Sequence, residues 1–169
     1  RCFEQVVLDA CLHNANVRLI GNGGGLVYAP LGPTHLAVED IAIMRAIPNM
    51  TVVAPADADE MRRFMPLTLD HQGPIYIRLA KGYDPIVTTD EHKFEIGKAI
   101  CMRQGSDALI ISTGITLKVA LDAAEMLEVE GAHASVLHMP TIKPLDVESL
   151  MVSLSKTSVV VTVEEHSII

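Results

Sequence analysis

The sequence predicts an α/β protein made of two consecutive parallel-sheet α/β domains, residues 1–83 and 94–169, joined by a linker at 84–93. Short apolar runs rich in Val and Ile alternate with longer segments of helical periodicity, the pattern of right-handed β-α-β crossovers. Gly, Pro and Asp punctuate the ends of those runs. Between Tyr83 and Phe94 the chain turns polar and loses its periodicity, with Asp84-Pro85 and Thr88-Thr89-Asp90-Glu91-His92 in sequence.

In the first half, Phe3 to His13 places Val6, Val7, Ala10 and Cys11 on one helical face. Val17 to Ile20 reads as a buried strand running into the loop Gly21-Asn22-Gly23-Gly24-Gly25. Leu36 to Ala46 fits a helix that Thr34 or His35 could cap and Pro48-Asn49 stops. Thr51 to Ala54 is a strand. Asp57 then caps a helix from Ala58 to Leu69, with Glu60 three residues on in a capping-box variant. Ile75 to Leu79 is the next strand.

The second half repeats the alternation. Strands are expected at Ala99–Met102, Asp107–Ser112, Ala134–His138 and Ser158–Val163. Helices are expected at Leu117–Val129, ended by Gly131, and from the Asp146 cap through Ser155, with Pro140–Pro144 as a loop.

Composition narrows the function. Half the chain is hydrophobic (49%) with few aromatics (4%, no Trp), so an aliphatic core is available. The net charge of −8 disfavours nucleic acid or an anionic membrane as the main partner, and no apolar run reaches the ~20 residues of a membrane span. Cys2, Cys11 and Cys101 show no ligand spacing, which fits reduced, mostly buried thiols and a cytoplasmic location, with no metal site expected from them.

Ligands of such folds bind outside the carboxyl ends of the strands. That rule brings the loops Gly21–His35, Pro55–Asp57 and Ala80–Tyr83 to one sheet edge, and makes His35 and Lys81 neighbours. His35 is either a capping or surface histidine, or one that hydrogen-bonds substrate oxygens and passes protons near neutral pH. Lys81 is either solvated or a point charge for a phosphate or carboxylate. Arg78, Arg45 and Asp57 read as structural. The glycine loop lacks the third glycine of a dinucleotide fingerprint, where Leu26 stands, so its glycines let backbone pass close to a ligand or another subunit. Glu164-Glu165-His166 reads as surface or interface rather than acid/base machinery. Thr113-Gly114 reads as a helix start. His13, His71, His92, His133 and His138 read as incidental.

Taken together, several segments resemble the transketolase family. They are Gly32-Pro33-Thr34-His35, Arg45-Ala46-Ile47-Pro48-Asn49, Pro55-Ala56-Asp57 and Glu60 in the first half, and Ile96-Gly97-Lys98-Ala99, Ser112-Thr113-Gly114, Lys143-Pro144-Leu145-Asp146 and Val161-Thr162-Val163-Glu164-Glu165-His166 in the second. The resemblance implies a pyrimidine-binding domain followed by a Rossmann-like transketolase C-terminal domain. It also implies a thiamine diphosphate (ThDP) and Mg²⁺ enzyme that moves two-carbon ketol units between sugar phosphates. His35 would contact substrate, Lys81 would stand for an arginine that holds substrate phosphate, and Arg1 would line the aminopyrimidine pocket. Leu31 replaces an acidic residue of the family, and Gly23 a basic or His residue.

No Gly-Asp-Gly run with a downstream Asn occurs in the chain, so the diphosphate–Mg²⁺ site is expected on another domain or subunit. The expectation is a fragment or split subunit, inactive alone, in a homodimer or heterotetramer. Deoxyxylulose-phosphate synthase, a 2-oxo acid dehydrogenase β subunit and a non-catalytic assembly module are the alternatives.

Overall fold

The computed structural model describes residues 2–168. Its first helical segment follows its apolar face. Helix α1 (Phe3–Gln5) continues into a wider π-helical stretch, Val6–Cys11, that buries Val6, Ala10 and Cys11. Burial pushes the Cys11 thiol pKa up, against a smaller lowering by Lys143. Strands β1 (Arg18–Asn22), β2 (Thr51–Val53) and β3 (Ile75–Leu79) pair in parallel with β3 at the centre. Helices α2 (Asp40–Ala46) and α3 (Ala58–Leu67) cover opposite faces. Ile41, Ile47, Met50, Val52 and Tyr76 pack with the first helical segment on one side, and Phe64, Val53, Ile75, Ile77 and Phe94 pack on the other.

The second half forms its own sheet in the order β4-β6-β5-β8, from β4 (Ile100–Arg103), β5 (Ala108–Ser112), β6 (Ala134–His138) and β8 (Val160–Val163). Helix α4 (Thr116–Val129) buries Leu117, Ala120 and Ala124 on one face. Helix α5 (Val147–Leu154) covers the other through Leu150 and Leu154. Asp146 caps α5 as expected, accepting from Ser149 N at 3.1 Å. A hydrogen bond from Ala99 N, then those from Ser149, hold its pKa below the usual carboxylate value despite burial.

Three elements differ from expectation. Pro140–Pro144 is not all loop: β7 (Thr141–Lys143) pairs antiparallel with β2, so the second half completes the first sheet as β1-β3-β2-β7. Ile142 packs into the first core, and Lys143 Nζ donates to the carbonyls of Arg45 (3.0 Å) in α2 and Ile47 (2.6 Å) just after it, where a cation suits a helix C-terminus. Strand β4 also runs antiparallel, to β6, so both sheets are mixed, with parallel pairs predominating. Finally, α2 starts at Asp40 rather than Leu36. Ala37 bridges Gly25 in antiparallel fashion, which holds 36–38 extended, and neither Thr34 nor His35 caps the helix.

The stretch 84–93 is irregular but not slack, since Val87 and Thr88 are hydrogen-bonded to Asp57 and Thr88 is buried. Among the described residues, no helix is long and apolar enough to cross a membrane.

Candidate functional site

The parallel register of β1, β3 and β2 brings their carboxyl ends to one edge, where a cavity of about 340 Å³ opens. Asn22 ends β1, Ala56 and Asp57 follow β2, and Lys81 and Gly82 follow β3. Ile115, just before α4, brings the second half to the same wall. Lys81 therefore lies where the strand-end rule predicts. His35 does not line this cavity. It sits on an exposed 3₁₀ turn, Pro33–His35, with Nδ1 3.0 Å from Thr34 Oγ1. Gly32 before it has φ +86°, which only glycine adopts without strain, so the turn's shape rests on that residue. Arg1 lies outside the described residues.

The wall at 55–60 is held by two carboxylates. Asp57 Oδ1 accepts from Glu60 N (2.8 Å) and Thr88 Oγ1 (2.9 Å), and Oδ2 accepts from Val87 N and Thr88 N (both 2.8 Å). Burial alone would raise its pKa, but these donors outweigh it and hold the carboxyl below its ordinary 3.8. Glu60 completes the capping variant one residue further out than usual, accepting from Ala56 N at 2.6 Å.

Glu60 also corrects the reading of His138 as incidental. Both side chains are fully buried, with His138 Nε2 3.1 Å from Glu60 Oε2. The pair joins α3 to β6 and therefore the two halves. Ser112 Oγ lies 3.4 Å from His138 Nδ1. The row Ser112–His138–Glu60 has the residue types of a nucleophilic triad, but its serine is 1% exposed and its contact is too long to activate the hydroxyl. It is a structural row.

The glycine loop makes way for the chain's own side chains rather than for a ligand or subunit. A Cβ on Gly23 would lie 2.6 Å from the Tyr28 ring, on Gly24 2.7 Å from Arg78 Nε, and on Gly25 2.4 Å from Glu165 Oε2. Arg78 is structural, as its strand position suggests. It pairs with Asp40 at 3.1 Å and donates to the carbonyls of Ala37 and Glu165. Tyr76 donates to the same Asp40 at 2.7 Å, and burial and that carboxylate push the phenol pKa well up. Glu165 and His166 lie at the junction of the halves: Leu26 N donates to Glu165 Oε1 and Ala42 N to His166 Nε2.

Sequence reasoning passed over Tyr28, whose ring lies 5.4 Å from Lys81 Nζ. The available signal was an aromatic residue in a glycine-rich loop after a strand, where a neighbouring glycine leaves room for a ring.

Residues 1–83 match the transketolase pyrimidine-binding domain, and residues 97–169 match the transketolase C-terminal domain. An apulose-4-phosphate transketolase subunit of Phocaeicola vulgatus is 39% identical over 168 residues, covering 99% of this chain and 54% of that protein. The 6-deoxy-6-sulfo-D-fructose transketolase subunit of a Clostridium species is 40% identical over 169 residues, covering 100% of this chain and 52% of that protein. A solved split-gene transketolase, described as an inactive β4 tetramer, superposes with a TM-score of 0.90 at 39% identity, covering 100% of this chain and 54% of that one. The chain thus spans about half the length of these relatives.

Proposed function

The chain belongs to the transketolase family, and from that premise we propose that it supplies the pyrimidine-binding unit (1–83) and C-terminal unit (94–169) of a ThDP-dependent enzyme. The reaction is transfer of a two-carbon ketol unit between sugar phosphates. The observation that carries the reading is the cavity at the carboxyl ends of β1, β2 and β3, with Lys81 on its rim. It has the size of a small-molecule site and one cation suited to a phosphate end.

ThDP, when bound, supplies the carbanion chemistry that makes and breaks the carbon–carbon bond. The reading puts Mg²⁺ and the diphosphate outside this chain because the sequence holds no Gly-Asp-Gly run with a downstream Asn. Those groups are assigned to another domain, a second copy or a partner subunit, in a cytoplasmic homodimer or heterotetramer.

This chain's own residues act on the substrate. Lys81 holds the phosphate end. His35, outside the cavity lining and with Nδ1 within reach of Thr34 Oγ1, would meet the substrate's oxygens through Nε2 as hydrogen-bond partner and proton carrier. Asp57 and Glu60 fix the cavity wall. Leu31, exposed beside the His35 turn, offers no acceptor to a substrate hydroxyl, which favours an acceptor sugar other than the family's common ones. The inactive tetramer of the split-gene relative supports the reading that this half of the enzyme does not turn over substrate alone.

The test is reconstitution. Combined with a diphosphate-domain subunit, ThDP and Mg²⁺, the chain is expected to transfer ketol units between phosphorylated sugars, and Lys81→Ala to raise KM for these alone. An equal effect of Lys81→Ala on unphosphorylated analogues would defeat the phosphate role.

A further inference from the structure

We propose that Tyr28 is the positioning residue for Lys81, and that the two form an aromatic-seated cation recognising a terminal oxyanion at the cavity mouth. The proposal rests on the reading of Lys81 as the anion-holding group and says how an exposed lysine is made specific. Lys81 has a long, rotatable stem and forms no ion pair among the described residues. Its ammonium instead lies 5.4 Å from the centroid of the Tyr28 ring, within range of the ring's negative face.

Tyr28 is itself held in place. Its ring occupies the space a side chain on Gly23 would fill, 2.6 Å from that glycine's would-be Cβ. Gly23 N donates to Ala80 O (3.3 Å) and Gly24 N to Leu79 O (2.9 Å), which ties the loop to the segment that carries Lys81. Ring and ammonium are thus mounted on one backbone unit.

The chemistry follows. The ring restrains the lysine rotamer without consuming its charge, leaving N–H groups for an anion. An ammonium is a point charge with no planar fork to match, so it accepts a tetrahedral oxyanion in several orientations. Asp57, on the same cavity wall, does not compete because its oxygens are taken by backbone and Thr88 donors. Asp84 also lines the cavity, and an unseated Lys81 has that carboxylate as an alternative partner.

The test uses the intact chain and inorganic phosphate, read by NMR at the Lys81 ε-methylene and the Gly82 amide. In the wild type the ε-methylene is expected upfield through the Tyr28 ring current, and phosphate should shift both signals saturably. Tyr28→Phe should keep both behaviours. Tyr28→Leu fills similar space without an aromatic face and should lose the upfield shift and weaken phosphate binding about 3-fold, the scale of an exposed cation–π contact. Tyr28→Met, expected to behave likewise, serves should the leucine variant not fold.

An unchanged methylene shift and affinity in the non-aromatic variants would overturn the proposal, as would phosphate shifts at Gly82 that persist in Lys81→Met. In the assembled enzyme, Tyr28→Leu should raise KM for a phosphorylated donor with kcat unchanged, and Tyr28→Phe should restore it. The NMR arm needs neither cofactor nor turnover, so failure of the transketolase reading and failure of this one give different results.

Discussion

At the corner between β2 and α3 the chain is tied down from several sides, whereas the turn carrying His35 is held by little beyond its own backbone. Asp57 gathers four donors from α3 and the 87–88 segment, and Glu60 reaches both Ala56 and His138 of the second half. The His35 turn has Gly32 with its positive φ, a Thr34 hydroxyl and exposed side chains. The difference is chemical. A cavity wall must keep its shape, so it is cross-linked by buried, charge-assisted hydrogen bonds. The proposed substrate contact of His35 asks for access instead, which its exposed turn provides.

The sharpest way to break the comparison is at the buried pair. His138→Ala opens a cavity beside Glu60 and removes a buried hydrogen-bond partner, and should cost about 3 kcal/mol in urea unfolding. A loss below about 1 kcal/mol would mean the corner is not clasped by this pair. Asp57→Ala removes a helix cap and the acceptor for the 87–88 segment, with an expected loss of about 2 kcal/mol. Its amide exchange should rise at Val87 and Thr88; protection unchanged there would show that the segment is held by something else.

Acid titration sharpens the same point. The folded pKa of Asp57 is depressed, so its stabilisation is complete above the unfolded value near 3.8 and is lost as pH falls through the lower folded value. Asp57→Asn should be less stable than wild type at neutral pH, with the gap closing below pH 3.8. A gap that stays constant through that range would detach the effect from the carboxylate. The smallest stability effect belongs to the exposed turn. His35→Ala should unfold within about 0.5 kcal/mol of wild type. The same substitution should depress turnover of the reconstituted enzyme, and unchanged kcat and KM would remove His35 from the site.

Much of this was legible in the sequence because it is local. Ile75–Leu79 and Ala134–His138 are apolar enough to declare themselves strands, and the Asp57 and Asp146 caps follow from residue type and spacing. The strand-end rule placed Lys81 at the cavity after β3 for the same reason, but His35, expected beside it, does not line that cavity. What escaped was non-local. Thr141–Lys143 is too short and polar to read as a strand; its partner β2 lies far back in the chain. Leu36-Ala37-Val38 has helical character, but pairing with Gly25 overrides it. His138 found its meaning in Glu60, 78 residues away, and Tyr28 in a lysine beyond β3. No periodicity announces such meetings.

The central claim is that this chain contributes one side of a ThDP site whose other side lies elsewhere. Isothermal titration of ThDP with Mg²⁺ into the chain, alone and mixed with a diphosphate-domain subunit, tests it most directly. The account predicts no saturable heat with the chain alone and stoichiometric binding with both components present. No binding to the mixture, with the two components shown to associate, would contradict it and leave the chain as an assembly module of the same fold.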